Sequence, residues 1–185
     1  SFHEHTWGPL DANTYTAEHT QLRMRQEDRC MRESDVVVTI CETMREKLCE
    51  RGVPEDKISV VPNGVSIDNF TPGRKDIKLA TQLGTSGTVL GYISNMSKRE
   101  GHYLIIKAVA ALRRSGQDVS ALLVGDGPMI DELKRLTREL KLTKYIIFTG
   151  QVDHSEITEY YRQIDIFVVP RLPDYASDFV TPLKP

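Results

Sequence analysis

Residues 88–124 have the sequence TVLGYISNMSKREGHYLIIKAVAALRRSGQDVSALLV. The segment opens with an apolar run over 88–94, continues with an apolar stripe over 102–114 and closes with a second apolar run over 119–124. Apolar residues three and four positions apart predict an amphipathic helix, and short continuous apolar runs predict buried strands. This order therefore predicts a strand-helix-strand unit whose two strands lie parallel in one sheet.

The same alternation continues along the chain. It predicts four further elements, in order a helix over Pro128–Leu140, a strand over Tyr145–Thr149, a helix over Ser155–Gln163 and a strand over Ile166–Val169. Pro128 suits the first position of a helix, because that position needs no N–H donor. Asp153, followed three residues later by Glu156, is a variant of the capping box that begins a helix. The predicted fold class is α/β, a Rossmann-like parallel sheet flanked by helices.

A smaller α/β segment is predicted upstream. Its elements are a helix over 14–34, a strand over 35–40, a helix over 42–51 and a strand over 58–61. The pattern then lapses, because residues 69–87 contain several glycines and a proline without helical or strand periodicity. We therefore predict two domains, residues 1–75 and 88–185, joined by a linker at 76–87.

Composition excludes several classes of protein. The 185 residues are 39% hydrophobic and 27% charged, with a formal net charge of -2. This is enough apolar material to bury a core, and it excludes a disordered or fibrous chain. The near-neutral charge excludes a large field that would attract nucleic acid or an anionic membrane, so a phosphate ligand would have to be held locally.

Cysteines, histidines and apolar runs exclude further classes of site. The three cysteines form no CxxC pair, which excludes a disulfide framework or a cysteine-rich zinc site and fits a reducing compartment. The five histidines form no HExxH motif, so no metal site is predicted. No apolar run approaches the ~20 residues of a membrane span, and the N-terminus lacks the features of a signal peptide.

Two common nucleotide-binding motifs are absent. The first predicted strand-to-helix loop lacks the GxGxxG fingerprint, which disfavours a dinucleotide oxidoreductase. The chain also lacks the Walker A sequence GxxxxGKS/T, which excludes a P-loop NTPase. The sequence Gly-Asp-Gly-Pro at 125–128 is most simply a tight turn between a strand and a helix.

The loops after the four downstream strands contain the candidate site, because ligands of an open parallel sheet lie outside the carboxyl ends of its strands. Backbone N–H groups at the following helix starts, together with Lys98, Arg99 and Arg171, would hold a phosphate without making the protein basic overall. Lys98 and Arg99 are equally compatible with a solvated pair at a helix start. Arg171, which follows the last apolar strand and Pro170, is the better candidate.

Short motifs in a fixed order give the chain a family resemblance. In chain order they are SDVVVTI at 34–40, VVPNGV at 60–65, FTP at 70–72, LGYIS at 90–94, LVGDGP at 123–128, FTGQV at 148–152 and DIFVVP at 165–170. Their order resembles that of the GT-B glycosyltransferases of family 4, the group 1 retaining enzymes. The resemblance covers nearly the whole chain from Asp35.

The resemblance implies a GT-B fold, in which two Rossmann-like domains face each other across a cleft. Residues 1–75 would be the C-terminal part of the acceptor-side domain, and residues 88–185 a truncated donor-side domain. It implies a hexosyltransferase-like enzyme of polysaccharide or glycoconjugate biosynthesis. This enzyme would move a sugar, with retention, from a UDP- or GDP-sugar to a hydroxyl of a glycan, lipid-linked or small-molecule acceptor.

The same resemblance implies a cytoplasmic protein with no tightly bound cofactor, no metal and no nucleic acid partner, whose full-length parent is able to associate peripherally with a membrane. Relatives continue past the position of Pro185 into an LEAMA helix whose Glu binds the donor ribose, so a fragment that is inactive alone is implied. Asn95 and Glu100 stand where many relatives carry Arg and Lys, and Phe179 stands at the first position of their Glu-x7-Glu motif.

The resemblance also assigns residues to the donor site. They are Ser94, Asn95, Lys98, Asp126, Gly127, Gln151, Val152, Arg171 and Lys184. The loops at Ser94 and Gly127 would border the diphosphate and line the cleft, and the backbone at Gln151 would meet the nucleobase. Arg171 and Lys184 would supply positive charge to the phosphates. No catalytic residue is assigned.

Two other functions remain open at this stage. The chain would also suit a non-catalytic GT-B-like module that binds a nucleotide or a partner without transferring anything. A GT-B epimerase acting on a nucleotide sugar would need acid and base side chains in the cleft, and the sequence supplies no convincing set. The order of preference is transferase, binding module, epimerase.

Overall fold

The computed structural model describes residues 17–65, 67 and 70–172. This part of the chain divides into two units, with the boundary after Val65. Each unit has a hydrophobic core of its own.

The first unit has the predicted order of helix, strand, helix and strand. Its elements are α1 (Ala17–Glu33), β1 (Val37–Thr39), α2 (Glu42–Glu50) and β2 (Ile58–Val60). The two strands pair in parallel, and apolar side chains from all four elements and from Val53 form the core. Arg51, at the C-terminal end of α2, holds this helix to α1 through an ion pair of 2.7 Å with Glu27.

The second unit contains a four-stranded parallel sheet. Its strands are β3 (Thr88–Ile93), β4 (Val119–Val124), β5 (Ile146–Gly150) and β6 (Ile166–Phe167), in the spatial order β5-β4-β3-β6. The first three strands are added in one direction, and β6 then returns to the free side of β3. The order therefore reverses between β3 and β6. In open α/β sheets such a reversal is where a crevice for ligands forms.

Helices cover both faces of this sheet. They are α3 (Ile77–Leu83), α4 (His102–Arg114), α5 (Ile130–Glu139) and α6 (Ile157–Gln163). Side chains of a strand point alternately to the two faces. Leu90 of β3 packs in a cluster with residues of α4 and α5, whereas its neighbour Val89 packs in a second cluster with residues of α3 and α6. Every residue of β4 is buried, as expected for a strand covered on both faces.

Helix α3 lies within the stretch 76–87 that was expected to be a linker, and it belongs to the second unit. The carboxylate of Asp76 caps the helix by accepting hydrogen bonds from the backbone N–H groups of Lys78 and Leu79, at 2.8 and 3.2 Å. Gly84 ends it in the left-handed conformation, with φ of 73°. The helix has only seven residues, which is too few for a clear apolar period.

Two other helices begin later than predicted. Pro128 lies in a turn closed by the bond from the Ile130 N–H to the carbonyl of Gly127, at 3.1 Å. Helix α5 begins at Ile130, because its first bond four residues back runs from the Leu133 N–H to the carbonyl of Met129, at 2.9 Å. Before α6, the Asp153 carboxylate accepts from both the N–H and the hydroxyl of Ser155. This local turn replaces the predicted capping box, and α6 begins at Ile157.

We expect Gly91→Ala to destabilise the second unit by about 1–3 kcal/mol, the usual cost of overpacking a well-packed core. Gly91 lies in β3, and a Cβ atom there would overlap the outer carbons of Ile164. The midpoint of thermal or urea unfolding measures the effect.

Gly64→Ala is the matched control, because a Cβ at Gly64 meets no atom within 4 Å. We expect this control to change stability by less than about 0.5 kcal/mol. In a double-mutant cycle, Gly91→Ala should reduce stability less in the Ile164→Ala background than in the wild type, because the overlapping side chain is gone. Equal midpoints for Gly91→Ala and Gly64→Ala would contradict the close packing of Ile164 on β3.

Candidate functional site

The loops that follow β3 and β4 are hydrogen-bonded to each other along their length. The N–H of Ser94 donates to the carbonyl of Val124 at 3.0 Å, which extends the sheet past the end of β3. The N–H of Met96 donates to the carbonyl of Asp126 at 2.8 Å, and the N–H of Met129 donates to that of Met96 at 2.9 Å. The two loops are therefore joined side by side by backbone hydrogen bonds.

Two glycines allow this close approach. A Cβ atom on Gly125 would overlap the carbonyl oxygen of Ser94, and one on Gly127 would overlap the side-chain oxygen of Asn95. Their φ angles are +126° and +157°, which side chains rarely tolerate. The tight turn expected at 125–128 is present, and it also brings the backbone of the second loop onto the first.

The end of β5 joins the same edge of the sheet. The N–H of Gly125 donates to the carbonyl of Gly150 at 2.9 Å, across an isolated antiparallel bridge. Beyond it, Gln151 is exposed and Val152 is half-buried against the core cluster around Val124. The backbone at 151–152 thus lies next to the loop that follows β4, on the side away from β3.

The end of β6 meets the loop after β3 from the other side. The N–H of Leu172 donates to the carbonyl of Arg99 at 2.9 Å. Gly101, with φ of +67°, lies so close to the carbonyl of Pro170 that a Cβ atom there would overlap it. Arg171 is therefore held beside the connection between β3 and α4, at the point where the strand order reverses.

The structure therefore places the loops of the predicted residues that it describes along one edge of the second unit. Asn95, Lys98 and Asp126 are exposed, and Ser94 is half-buried with its hydroxyl 2.9 Å from Nε2 of His102. Lys98 lies in a single 3₁₀ turn, ahead of the first residue of α4. Lys184 lies outside the described residues.

Sequence reasoning missed a buried polar cluster at this edge. It consists of Tyr92 on β3, Glu100 in the turn before α4, and Arg171. The hydroxyl of Tyr92 donates to one oxygen of the Glu100 carboxylate, and a guanidinium nitrogen of Arg171 lies 3.2 Å from the other. Tyr92 lies at an inward position of a strand, where an aromatic side chain suggests only core packing. Arg171 lies far from Glu100 along the chain, so the sequence does not indicate that the two residues pair.

Burial and the hydrogen bond to Glu100 raise the pKa of the Tyr92 hydroxyl far above its usual value, against an opposing effect of the nearby Arg171. The hydroxyl therefore remains protonated at physiological pH and acts as a donor. His102, next to this cluster, is buried, and its ring packs against that of Tyr92 with the centroids 5.1 Å apart.

No group of three or more His, Cys, Asp or Glu side chains in residues 17–65, 67 and 70–172 is placed to hold a metal ion. Within those same ranges, no helix has the length and apolar character needed to cross a membrane. Cys30, Cys41 and Cys49 form no disulfide bond.

Family models match both parts of the chain. Residues 74–173 match the model described as glycosyl transferases group 1, and residues 1–69 match that described as glycosyltransferase family 4. Among curated proteins, the GDP-mannose-dependent alpha-(1-6)-phosphatidylinositol monomannoside mannosyltransferase of Mycolicibacterium smegmatis is 26% identical over 141 residues, which are 75% of this chain and 37% of that enzyme. The 2-deoxystreptamine glucosyltransferase of Streptomyces kanamyceticus is 29% identical, over 65% of this chain and 32% of its own length.

Solved structures agree on the fold. HepE from Anabaena, in complex with UDP-glucose, matches with a TM-score of 0.67 at 22% identity, over 82% of this chain and 43% of its own. Sucrose-phosphate synthase from Thermosynechococcus elongatus matches with a TM-score of 0.67 at 21% identity, over 86% of this chain and 40% of its own. The expected α/β fold of GT-B type is therefore confirmed.

The chain spans less than half of the length of each of these relatives and solved structures. The group 1 model alone covers more than half of the chain, and it includes all four strands of the second unit. By this match, the chain belongs to the glycosyl transferases group 1 family.

Proposed function

We propose that the edge of the second unit formed by the loops after β3, β4, β5 and β6 is the donor site of a retaining glycosyltransferase. The donor would be a nucleotide-diphosphate sugar and the acceptor a hydroxyl group. One observation carries this proposal. Backbone loops and an arginine from sequence-distant strands converge where the strand order reverses, which is the usual ligand position in an open parallel sheet.

The names of similar proteins support this reaction class. The Mycolicibacterium relative is named a GDP-mannose-dependent mannosyltransferase, and the Streptomyces relative is named a glucosyltransferase. The Anabaena structure is described as a complex with UDP-glucose. Since these names include both a GDP-sugar and a UDP-sugar, we propose a nucleoside diphosphate as the donor's leaving group. Titration with UDP and GDP identifies the base.

The chemistry of transfer assigns the main task of the site. The sugar–phosphate bond breaks and negative charge grows on the departing diphosphate. The acceptor oxygen bonds to the sugar carbon on the same face, and its proton passes to the departing diphosphate. Fixed N–H dipoles and cations aimed at that charge are the largest expected source of rate. We assign this role to the side chains of Lys98, Arg171 and Lys184. We place the loops at Ser94, Asn95 and Gly127 at the border of the diphosphate, because the N–H groups of Ser94 and Gly127 already donate to Val124 and Asp126.

The remaining assignments follow from position along the same edge. The backbone at Gln151 and Val152 lies beyond the end of β5, next to the Gly125 loop, and we assign it to the nucleobase. Asp126 is exposed, and its carboxylate accepts from the N–H of Gly127 at 2.7 Å, so we place it on the wall of the site.

We further propose that the chain contributes to two different domains of a longer cytoplasmic enzyme. Residues 1–75 would belong to the acceptor side and residues 88–185 to the donor side. The basis is that the relatives are more than twice as long as the part matched here. A glycan, lipid-linked or small-molecule acceptor is compatible with their names, and a lipid-linked acceptor would bring the enzyme to a membrane surface.

Arg171→Ala should weaken the binding of UDP or GDP by about 10- to 100-fold, the range for losing a hydrogen bond to a charged group. Binding of the corresponding nucleoside without phosphates should change little, because Arg171 is assigned to the phosphates. Isothermal titration calorimetry of the chain with UDP, GDP and the two nucleosides measures both effects and identifies the base.

The matched control is Arg114→Ala, which removes an arginine from the far end of α4, away from the candidate site. Its Kd for the diphosphate should equal that of the wild type. If the wild type bound neither diphosphate, or if Arg171→Ala and Arg114→Ala had the same Kd, the donor site would be misplaced.

In the longer enzyme, Arg171→Ala and Lys184→Ala should each lower kcat/KM by roughly 10²-fold or more, the scale of losing one group that stabilises developing charge. Initial rates of sugar transfer and of donor hydrolysis measure this. Unchanged kinetics in both variants would contradict the assignment. Nucleotide binding without any donor cleavage would instead favour the non-catalytic binding module.

A further inference from the structure

The main chain on either side of Arg171 is fixed against the connection between β3 and α4. On one side, the carbonyl of Pro170 sits against Gly101, where there is no room for a side chain. On the other side, the N–H of Leu172 donates to the carbonyl of Arg99 at 2.9 Å. Only the side-chain torsions of Arg171 remain to be set.

The carboxylate of Glu100 restrains the side chain of Arg171. A guanidinium nitrogen of Arg171 lies 3.2 Å from one carboxylate oxygen of Glu100. The other carboxylate oxygen accepts the hydrogen bond of the Tyr92 hydroxyl, so the carboxylate is held from the strand as well as from the turn. The side chain of Glu100 is only 11% exposed and that of Arg171 22% exposed, so water does not screen the pair as it would on the surface.

Fixing an arginine before its ligand arrives has a direct effect on binding. A free arginine loses rotamer entropy when it engages a phosphate, and that loss reduces the affinity. An arginine whose main chain and guanidinium are already fixed has lost this freedom during folding. The same reasoning applies to the transition state, where groups that need no reorganisation stabilise charge best.

We propose that Glu100, braced by Tyr92, is a positioning residue that fixes the guanidinium of Arg171 for the donor diphosphate. This inference rests on the proposed function, in which Arg171 is a phosphate-binding group. Glu100 itself carries a negative charge and does not touch the donor. Its role is to hold the cation at the strand reversal with the correct reach.

Reach and charge can be separated with two conservative variants. Glu100→Gln keeps the length of the side chain and an oxygen that accepts from Arg171, but it loses the charge. Glu100→Asp keeps the charge but is one methylene shorter, so it cannot span the same distance. For positioning, we expect Glu100→Gln to bind UDP or GDP within about 3-fold of the wild type, and Glu100→Asp and Glu100→Ala to bind about 10-fold more weakly.

The measurement is the calorimetric Kd of the chain for the diphosphate and for the nucleoside alone. Only the diphosphate Kd should change. The loss in Glu100→Ala should disappear when Arg171→Ala is already present, because the two residues act through one contact. Glu139→Asp shortens the carboxylate of an exposed ion pair on α5 and should leave both constants unchanged.

Tyr92→Phe provides a second approach that leaves Glu100 intact. It removes the hydroxyl that braces the carboxylate and keeps the ring, and we expect it to weaken diphosphate binding by about 3-fold. Thermal unfolding midpoints of all variants, recorded in parallel, show which of them fold. If the Glu100 variants do not fold, the Tyr92→Phe result decides.

The results that would overturn this inference are distinct from those that would overturn the proposed function. Wild-type affinity in Glu100→Asp combined with weak binding in Glu100→Gln would mean that charge and not reach matters. A loss that persists beside Arg171→Ala, or that extends to the nucleoside, would mean a purely structural role. If the wild type bound no diphosphate, the proposed function would fail and this inference with it.

Discussion

Strand β3 is the element on which the second unit depends, because it pairs in parallel on both of its edges. Its pairing with β4 runs along its whole length, whereas its pairing with β6 involves only Leu90 and Gly91. The crossover from β3 runs through α4 to β4 on one side, whereas β6 pairs on the other side and its end meets the connection between β3 and α4. The glycines at 125 and 127 then let the neighbouring loop close onto the connection that follows β3. Each candidate donor contact derives from this arrangement.

Much of the fold could be predicted from local sequence. The helix at His102–Arg114 and the strand at Val119–Val124 have the bounds that their apolar periods indicate, because each buries a regular set of side chains against the same sheet. Helix α3 was not predicted, because the sequence marks it only with a capping Asp before its seven residues and a Gly after them. The ion pair between Glu100 and Arg171 was not predicted either. It depends on which strands become neighbours in the sheet, and local periodicity does not show that.

The near-neutral charge of the chain is consistent with a site of this kind. The cation of Arg171 is partly balanced by Glu100, and Asp126 lies in the neighbouring loop. Under the proposed function, such a site would not attract anions over long distances and would act at short range through the guanidinium of Arg171. The family match supports the proposed reaction class, and these contacts are the basis on which we propose the parts of this chain that would meet the phosphates.

The position of β6 also has a consequence for the order of assembly. During synthesis β3, β4 and β5 emerge first, and each is joined to the next by a nearby crossover helix. Arg171 emerges after all of them, yet its partners Tyr92 and Glu100 lie at the beginning of the unit. Closing so long a segment is slow compared with forming the crossovers. A nascent chain would therefore carry a nearly complete sheet whose edge beside Glu100 still lacks Arg171.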